Sequence, residues 1–231
     1  VPLTDISVRA TVEEGAAVVR KGGASWGEGR IALTGEFPFG LLPENLPVQI
    51  PRKAGPAVFS LDVRGLRPEA AEKLPPGITG LISVRAEGSA TATDLRALTA
   101  RIEFPDLQFR MNEFSLGQTQ PSRLSVRDGI LSVERLTLSG TETNLDVRGS
   151  AGILPDGPLD VRVAGGLNAA LLTFNNPDLR ASGNLNIEAA AAGTPAAPLL
   201  SGSARMQGGR LSLRDPRVVA LRARLDRRRG I

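Results

Sequence analysis

Apolar residues recur at every second position over most of the chain. Ile6, Val8, Ala10 and Val12 begin the pattern, and Phe59, Leu61 and Val63, then Ile82, Val84 and Ala86, continue it. Leu145 and Val147 follow, then Leu159, Val161 and Val163, then Leu185, Ile187 and Ala189, and finally Val219, Leu221, Ala223 and Leu225. A period of two is the signature of a strand with one apolar and one wetted face, which favours antiparallel sheets. The intervening positions are mostly Arg, Asp, Glu, Ser or Asn, and Asp128-Gly129, Asp156-Gly157 and Gly208-Gly209 read as turns between strands.

Two short helices interrupt this pattern. Over residues 67–74, Pro68 sits in a first turn, Glu69 and Lys73 are four apart, and Pro75-Pro76 stops the run. Asn168 is placed to cap a single turn through Ala169 to Leu172, ended by Asn175-Asn176-Pro177. Prolines 38, 43, 47, 51 and 56 predict a long loop or ragged edge between Phe37 and Pro56. Alanines 189–192 stay in a strand, because the alternation of Leu185 and Ile187 precedes them and Gly193, Pro195 and Pro198 follow.

The composition removes most chemistry. The 231 residues include no Cys and no His, which excludes thiolate nucleophiles, His-based triads, and zinc or iron-sulfur sites of the usual kind. None of the three lysines follows a Ser by three residues, and no phosphate-binding Gly-Lys loop is present. Neither an enzyme, a metal nor a cofactor is expected. A net charge of +4 comes from basic residues interspersed with acids, so no nucleic-acid role is expected despite a sequence pI near 10.5. Aromatics are only 3% while Gly and Pro number 26 and 17, a balance suited to many short strands and poor in bulky core fillers. The Gly-rich stretch from Gly22 to Arg30, with Trp26, reads as a flexible turn whose ring covers a strand edge. The basic run Arg222 to Arg229 reads as outward strand positions or as an anionic-lipid contact. No apolar stretch reaches the length of a membrane span, and both ends have the look of a cut segment.

A self-comparison finds a repeat of about a hundred residues. Gly80 to Ala86 matches Gly183 to Ala189, Ala100-Arg101-Ile102 matches Ala204-Arg205-Met206, and Arg123 to Ile130 matches Arg224 to Ile231. The expected units are a β segment over 1–79 with the Pro-rich loop and short helix, a first repeat over 80–182, and a second, truncated repeat over 183–231. Composition and alternation leave two uses for the apolar face. It is either the dry core of a structural β scaffold or the lining of an open trough for acyl chains.

The phrase from Gly183 through Ile187 and Gly193-Thr-Pro-Ala-Ala-Pro198 to Leu213 resembles the repeat of the TamB branch of the AsmA-like proteins. The stretch Leu124 to Gly140, with Asn144 to Gly149, is similar to the same family. The resemblance implies an elongated, partly open, taco-like sheet trough with an apolar inner groove; with the alternation and the two short helices read above, the expected fold is all-β and mostly antiparallel. It implies a periplasmic location with an inner-membrane anchor that this chain lacks, and phospholipid carried along an apolar groove between inner and outer membranes. It also implies support of outer-membrane protein assembly with an Omp85-type barrel as partner, through regions outside this chain. The groove residues expected are Leu145, Val147, Leu159, Val161, Val163, Leu185, Ile187, Leu211 and Leu213.

Overall fold

The structure, a computed structural model, describes residues 3–43, 50–71, 77–111, 113–173 and 179–213. Thirteen strands form one sheet. They are β1 (Leu3–Glu13), β2 (Ala16–Trp26), β3 (Gly29–Pro38), β4 (Ala57–Leu66), β5 (Ile78–Ala90), β6 (Leu98–Met111) and β7 (Phe114–Gln118). Then come β8 (Ser122–Arg127), β9 (Ile130–Gly140), β10 (Thr143–Gly152), β11 (Leu159–Asn168), β12 (Leu179–Thr194) and β13 (Ala197–Leu213). Apart from β7 and β8, each strand pairs antiparallel with its neighbours in chain order, so the sheet is a meander spreading over twelve ladder positions, roughly 50 Å at the usual strand spacing. Among the described residues β1 and β13 each have a single neighbour, and the sheet does not close into a barrel. The expected all-β, elongated, open antiparallel sheet is the fold.

One ladder position is shared. β7 pairs with Gln108–Met111 of β6 and β8 with Ala100–Phe104, so the two are halves of one interrupted strand between β6 and β9. Pro105 lies in β6 opposite the gap, where a residue without an N–H leaves the ladder incomplete. The Gln118 side chain fills it: Nε2 donates to the carbonyls of Phe104 at 2.7 Å and Pro105 at 2.8 Å, and Oε1 accepts from Ser122 N at 3.1 Å and Oγ at 2.8 Å. Gln118→Leu orphans all four groups, and at about 1–3 kcal/mol for each buried group left unpaired, we expect a loss of at least about 3 kcal/mol in urea unfolding. Gln120→Leu, whose partner Arg135 is exposed, should change the midpoint little. Equal midpoints for the two variants would remove Gln118 as the plug.

Bulges set the phase of the strands. Register slips place an extra residue in β1 near Asp5, in β2 near Arg20, in β4 near Gly65, in β6 near Phe104-Pro105, in β9 near Glu134 and in β13 near Gly208. Each bulge raises local twist and bends its strand. Without the one in β2, the period of two would carry Lys21 onto the face occupied by Val19.

Several sequence expectations are corrected here. Gly208-Gly209 is no hairpin turn; it is the bulge inside β13, and the strand runs on to Leu213. The short helix expected over 67–74 is a single 3-10 turn, Pro68–Ala70, because Ala71 is already extended at φ −81°, ψ 125°. One turn fixes several dihedrals for one hydrogen bond and does not propagate here. The Glu69 carboxylate accepts from Gly80 N at 3.0 Å, and its expected partner Lys73 lies outside the described residues.

Other expectations hold. Asn168 caps the 3-10 turn Ala169–Thr173 by accepting from Ala170 N at 2.9 Å, and Asp128-Gly129 is a tight turn with φ of 52° and 71°. Alanines 189–192 lie in β12, whereas the Pro-rich stretch holds in part: Pro38 still pairs with Ala16 at the end of β3 and Phe39–Leu41 form a 3-10 turn, and only 42–43 and 50–56 are irregular among the described residues. The matched segments both form a hairpin, β5–β6 and β12–β13, but in different registers. Ala86 faces Ile102, whereas the matching Ala189 faces Gly202. The seven-residue connection at 91–97 is reduced to Pro195-Ala196 in the second. The match of 224–231 and the basic run 222–229 lie outside the described residues. Unit boundaries at 79/80 and 182/183 fall inside β5 and β12, so the units are stretches of one continuous sheet.

Candidate functional site

Residues facing each other across antiparallel ladders share a face. Following the pairings from strand to strand therefore maps each face of the sheet. One row runs Ala10, Val19, Gly35, Phe59, Gly88, Ala100, Val126, Leu131, Ala151, Leu159, Gly193 and Pro198. The next runs Val8, Gly22, Leu33, Leu61, Ala86, Ile102, Leu124, Val133, Gly149, Val161, Ala191 and Leu200. Both are apolar from β1 to β13. Two further rows cross β9 to β13: Leu136, Val147, Val163, Ala189, Gly202, and Leu138, Leu145, Gly165, Ile187, Ala204. Leu167, Leu185 and Met206 form a fifth.

No ionisable side chain occupies a paired position on this face among the described residues. The polar residues that do are Gln118, Ser122 and Thr143; Gln118 plugs the β7–β8 gap, and Thr143 donates to the Thr141 carbonyl at 3.1 Å. The bulges keep it so, by adding one residue wherever the apolar spacing lengthens from two to three, as between Val133 and Leu136.

The expected groove residues fall on this face together. Leu145, Val147, Leu159, Val161, Val163 and Ile187 are half-buried, and Leu185 is buried at 8% exposure. The β13 backbone places Leu211 and Leu213 across from Ala181 and Leu179, but their side chains lie outside the described residues. Sequence reasoning confined the candidates to β10–β13 and missed the equal contribution of β1–β9. The alternation of Phe59, Leu61 and Val63 and of Ile82, Val84 and Ala86 was the available signal.

The face has little covering it. Among the described residues seven apolar side chains are buried, four of them alanines, far fewer than a packed two-layer domain would bury. Among the described residues, substantial contacts between elements run between strands adjacent in the sheet or between a strand and a 3-10 turn, and no second layer lies over the sheet.

The opposite face is a charge ladder. Ala32, Asp62, Arg85, Glu103, Arg123 and Arg135 face one another in sequence, and Arg64 pairs with Asp62 at 2.6 Å and Arg123 with Glu103 at 3.7 Å. The hydrogen bond from Arg64 holds Asp62 below the ordinary carboxylate range; the charges of Arg64 and Arg85 add to this, and desolvation opposes it. A lowered carboxylate pKa stabilises above the unfolded value, and that stability is lost as pH falls through the folded value. Asp62→Asn should thus lower stability at neutral pH by about 0.5 kcal/mol or less, the scale of a solvent-screened pair, and the difference should vanish in acid. A difference that grew in acid would contradict that sign.

Among the described residues no three metal-ligating side chains cluster, and no helix is long and apolar enough to cross a membrane. No protein-family model matches the chain, and neither a curated protein nor a solved structure matches it. The arrangement offers a broad apolar surface whose opposite side is well solvated.

Proposed function

We propose that the chain is a non-enzymatic segment of a lipid conduit, in which phospholipid acyl chains lie on the apolar face and move along it from strand to strand. The observation that carries this reading is the pair of apolar rows that cross all twelve ladder positions without an ionisable residue. Each methylene taken from water onto such a surface contributes about 0.8 kcal/mol, so a dozen contribute on the order of 10 kcal/mol. Because every strand offers only glycine, alanine, proline or larger apolar side chains in these rows, no polar group fixes a chain at one strand, and it can pass from one to the next. An enclosed ligand site would instead converge polar groups on one orientation.

Together with the TamB-like phrases, the face supports a periplasmic setting. There it would carry phospholipid between inner and outer membranes and, through regions outside this chain, assist outer-membrane protein assembly with an Omp85-type barrel. A dry scaffold would need a second layer over the face. Purification under native conditions followed by lipid extraction and mass spectrometry tests the reading. Phospholipid should accompany the protein in at least stoichiometric amount, and a lipid-free protein that acquires none from phospholipid vesicles would overturn it.

A further inference from the structure

We propose that the charged face of β1–β4 carries an anion site for a phosphate group, built by Arg9, Lys21 and Arg30 over a floor of Ser7, Gly23 and Ala32. The three floor residues face one another across the β1–β2 and β2–β3 ladders, and none is larger than serine. The floor is open, since a Cβ on Gly23 would come no closer than 3.4 Å to any neighbour, the Ser7 hydroxyl. On one side of this row Arg9 faces Lys21, and on the other Arg30 faces Arg64. Like charges set directly opposite each other destabilise a sheet, and here two such pairs flank one shallow floor. Lys21 and Ser25, the residue facing Arg30, are four apart in β2, about 13 Å of strand, which two long cationic side chains leaning inward can close onto one tetrahedral anion.

No carboxylate answers these three exposed cations: among the described residues Arg9, Lys21 and Arg30 make no ion pair. β2 and β3 have strands on both sides, so the ladder neighbours of Lys21 and Arg30 are in place, and none is acidic. The nearby acids are engaged elsewhere. Asp62 is held by Arg64 at 2.6 Å and Arg85 at 3.6 Å, and Glu28 by Arg67 at 2.6 Å. Glu13 pairs with Arg20 and Glu36 with Lys53, both at 2.6 Å, while Asp5 accepts from Thr4 Oγ1 at 3.4 Å. A carboxylate ligand is satisfied by one guanidinium fork, whereas three cations beside the hydroxyls of Ser7 and Ser25 suit a group with more charge and more acceptor oxygens, a phosphate.

The test is binding of the 231-residue chain to inorganic phosphate by calorimetry at constant ionic strength, and to phosphatidylcholine vesicles with and without phosphatidylglycerol by flotation. Heat with inorganic phosphate identifies the free ion as a ligand; binding that appears only with phosphatidylglycerol identifies a lipid headgroup. Lys21→Gln and Arg30→Gln should each weaken the interaction about fivefold and flatten its salt dependence. Arg205→Gln, which removes the same charge from the same face at β13, should leave it unchanged. Gly23→Glu supplies the missing carboxylate from within and should abolish binding in a chain that circular dichroism shows to be folded. No binding to either probe, equal losses for Arg205→Gln and Arg30→Gln, or retained binding in folded Gly23→Glu protein would overturn the proposal. Lipid uptake from phosphatidylcholine vesicles, which offer acyl chains without net charge, reads the apolar face separately, so the site and the conduit reading can each fail alone.

Discussion

Replacing Ile187 with aspartate should leave the chain folded and strip it of lipid. Ile187 is half-buried, and its neighbours across the two ladders are Gly165 and Ala204, so a carboxylate there is flanked by small groups and keeps part of its water. Burying a charge in a dry core costs many kcal/mol, enough to unfold a domain whose net stability is about 5–15 kcal/mol. On an open face the cost falls to about 1–2 kcal/mol in urea unfolding, within that margin. Leu185→Asp is the contrast, since Leu185 is only 8% exposed and should not tolerate the charge. Far-ultraviolet circular dichroism and lipid mass spectrometry on the same preparations read both effects. Unfolding by Ile187→Asp, with no lipid on the unsubstituted chain, would favour the dry scaffold.

Gly165→Val should unfold the chain. Gly165 has φ of 144°, outside the range that L side chains readily adopt, and a Cβ there would run into the Asn144 carbonyl oxygen of β10. Gly149 in β10 repeats the situation, with φ of 124° and the Asp160 carbonyl oxygen of β11 in the way. Such a conformation costs a non-glycine residue about 1–3 kcal/mol, and separating the strands to clear the contact costs more. Gly165→Ala alone should lose about 3 kcal/mol or more. Gly117→Ala is the control, because a Cβ there comes no closer than 3.4 Å to any neighbour, and it should cost less than about 1 kcal/mol. Similar melting temperatures for Gly165→Ala and Gly117→Ala would show that no close approach exists at the β10–β11 ladder.

The period of two made the fold class legible. Every alternating run within the described residues lies in a strand, and the phase of each run gives its apolar face. What the alternation could not convey was how the runs join. In β9 the apolar positions are Leu131, Val133, Leu136 and Leu138, and in β4 they are Phe59, Leu61, Val63 and Leu66; the step of three in each is a bulge. Counted as simple alternation, such a step ends the strand, and a Gly-Gly pair such as Gly208-Gly209 reads as a turn signal although it lies in the bulge of β13. The 67–74 segment carries helix-forming residues, but a single turn is a costly nucleus that local propensity alone does not extend, and the backbone is already extended at Ala71. Gln118 was illegible as a plug, since its role depends on Pro105 lying opposite the β7–β8 gap, thirteen residues back in the chain. The candidate face was half legible. The phrases resembling TamB drew attention to β10–β13, whereas membership of Leu33, Ile102 or Leu124 follows only from ladder pairings.

Site-specific photo-crosslinking on the two phases of one strand tests the conduit most directly. A photoreactive amino acid placed singly at Leu61 and Val161, on the apolar face, and at the adjacent positions Ser60 and Arg162, on the polar face, reports which side meets lipid in cells. The account predicts phospholipid adducts at Leu61 and Val161 and none at Ser60 and Arg162, the period of two reappearing as a labelling pattern in strands far apart in the sheet. Adducts of equal yield on both phases, or no lipid adduct at any of the four, would contradict it.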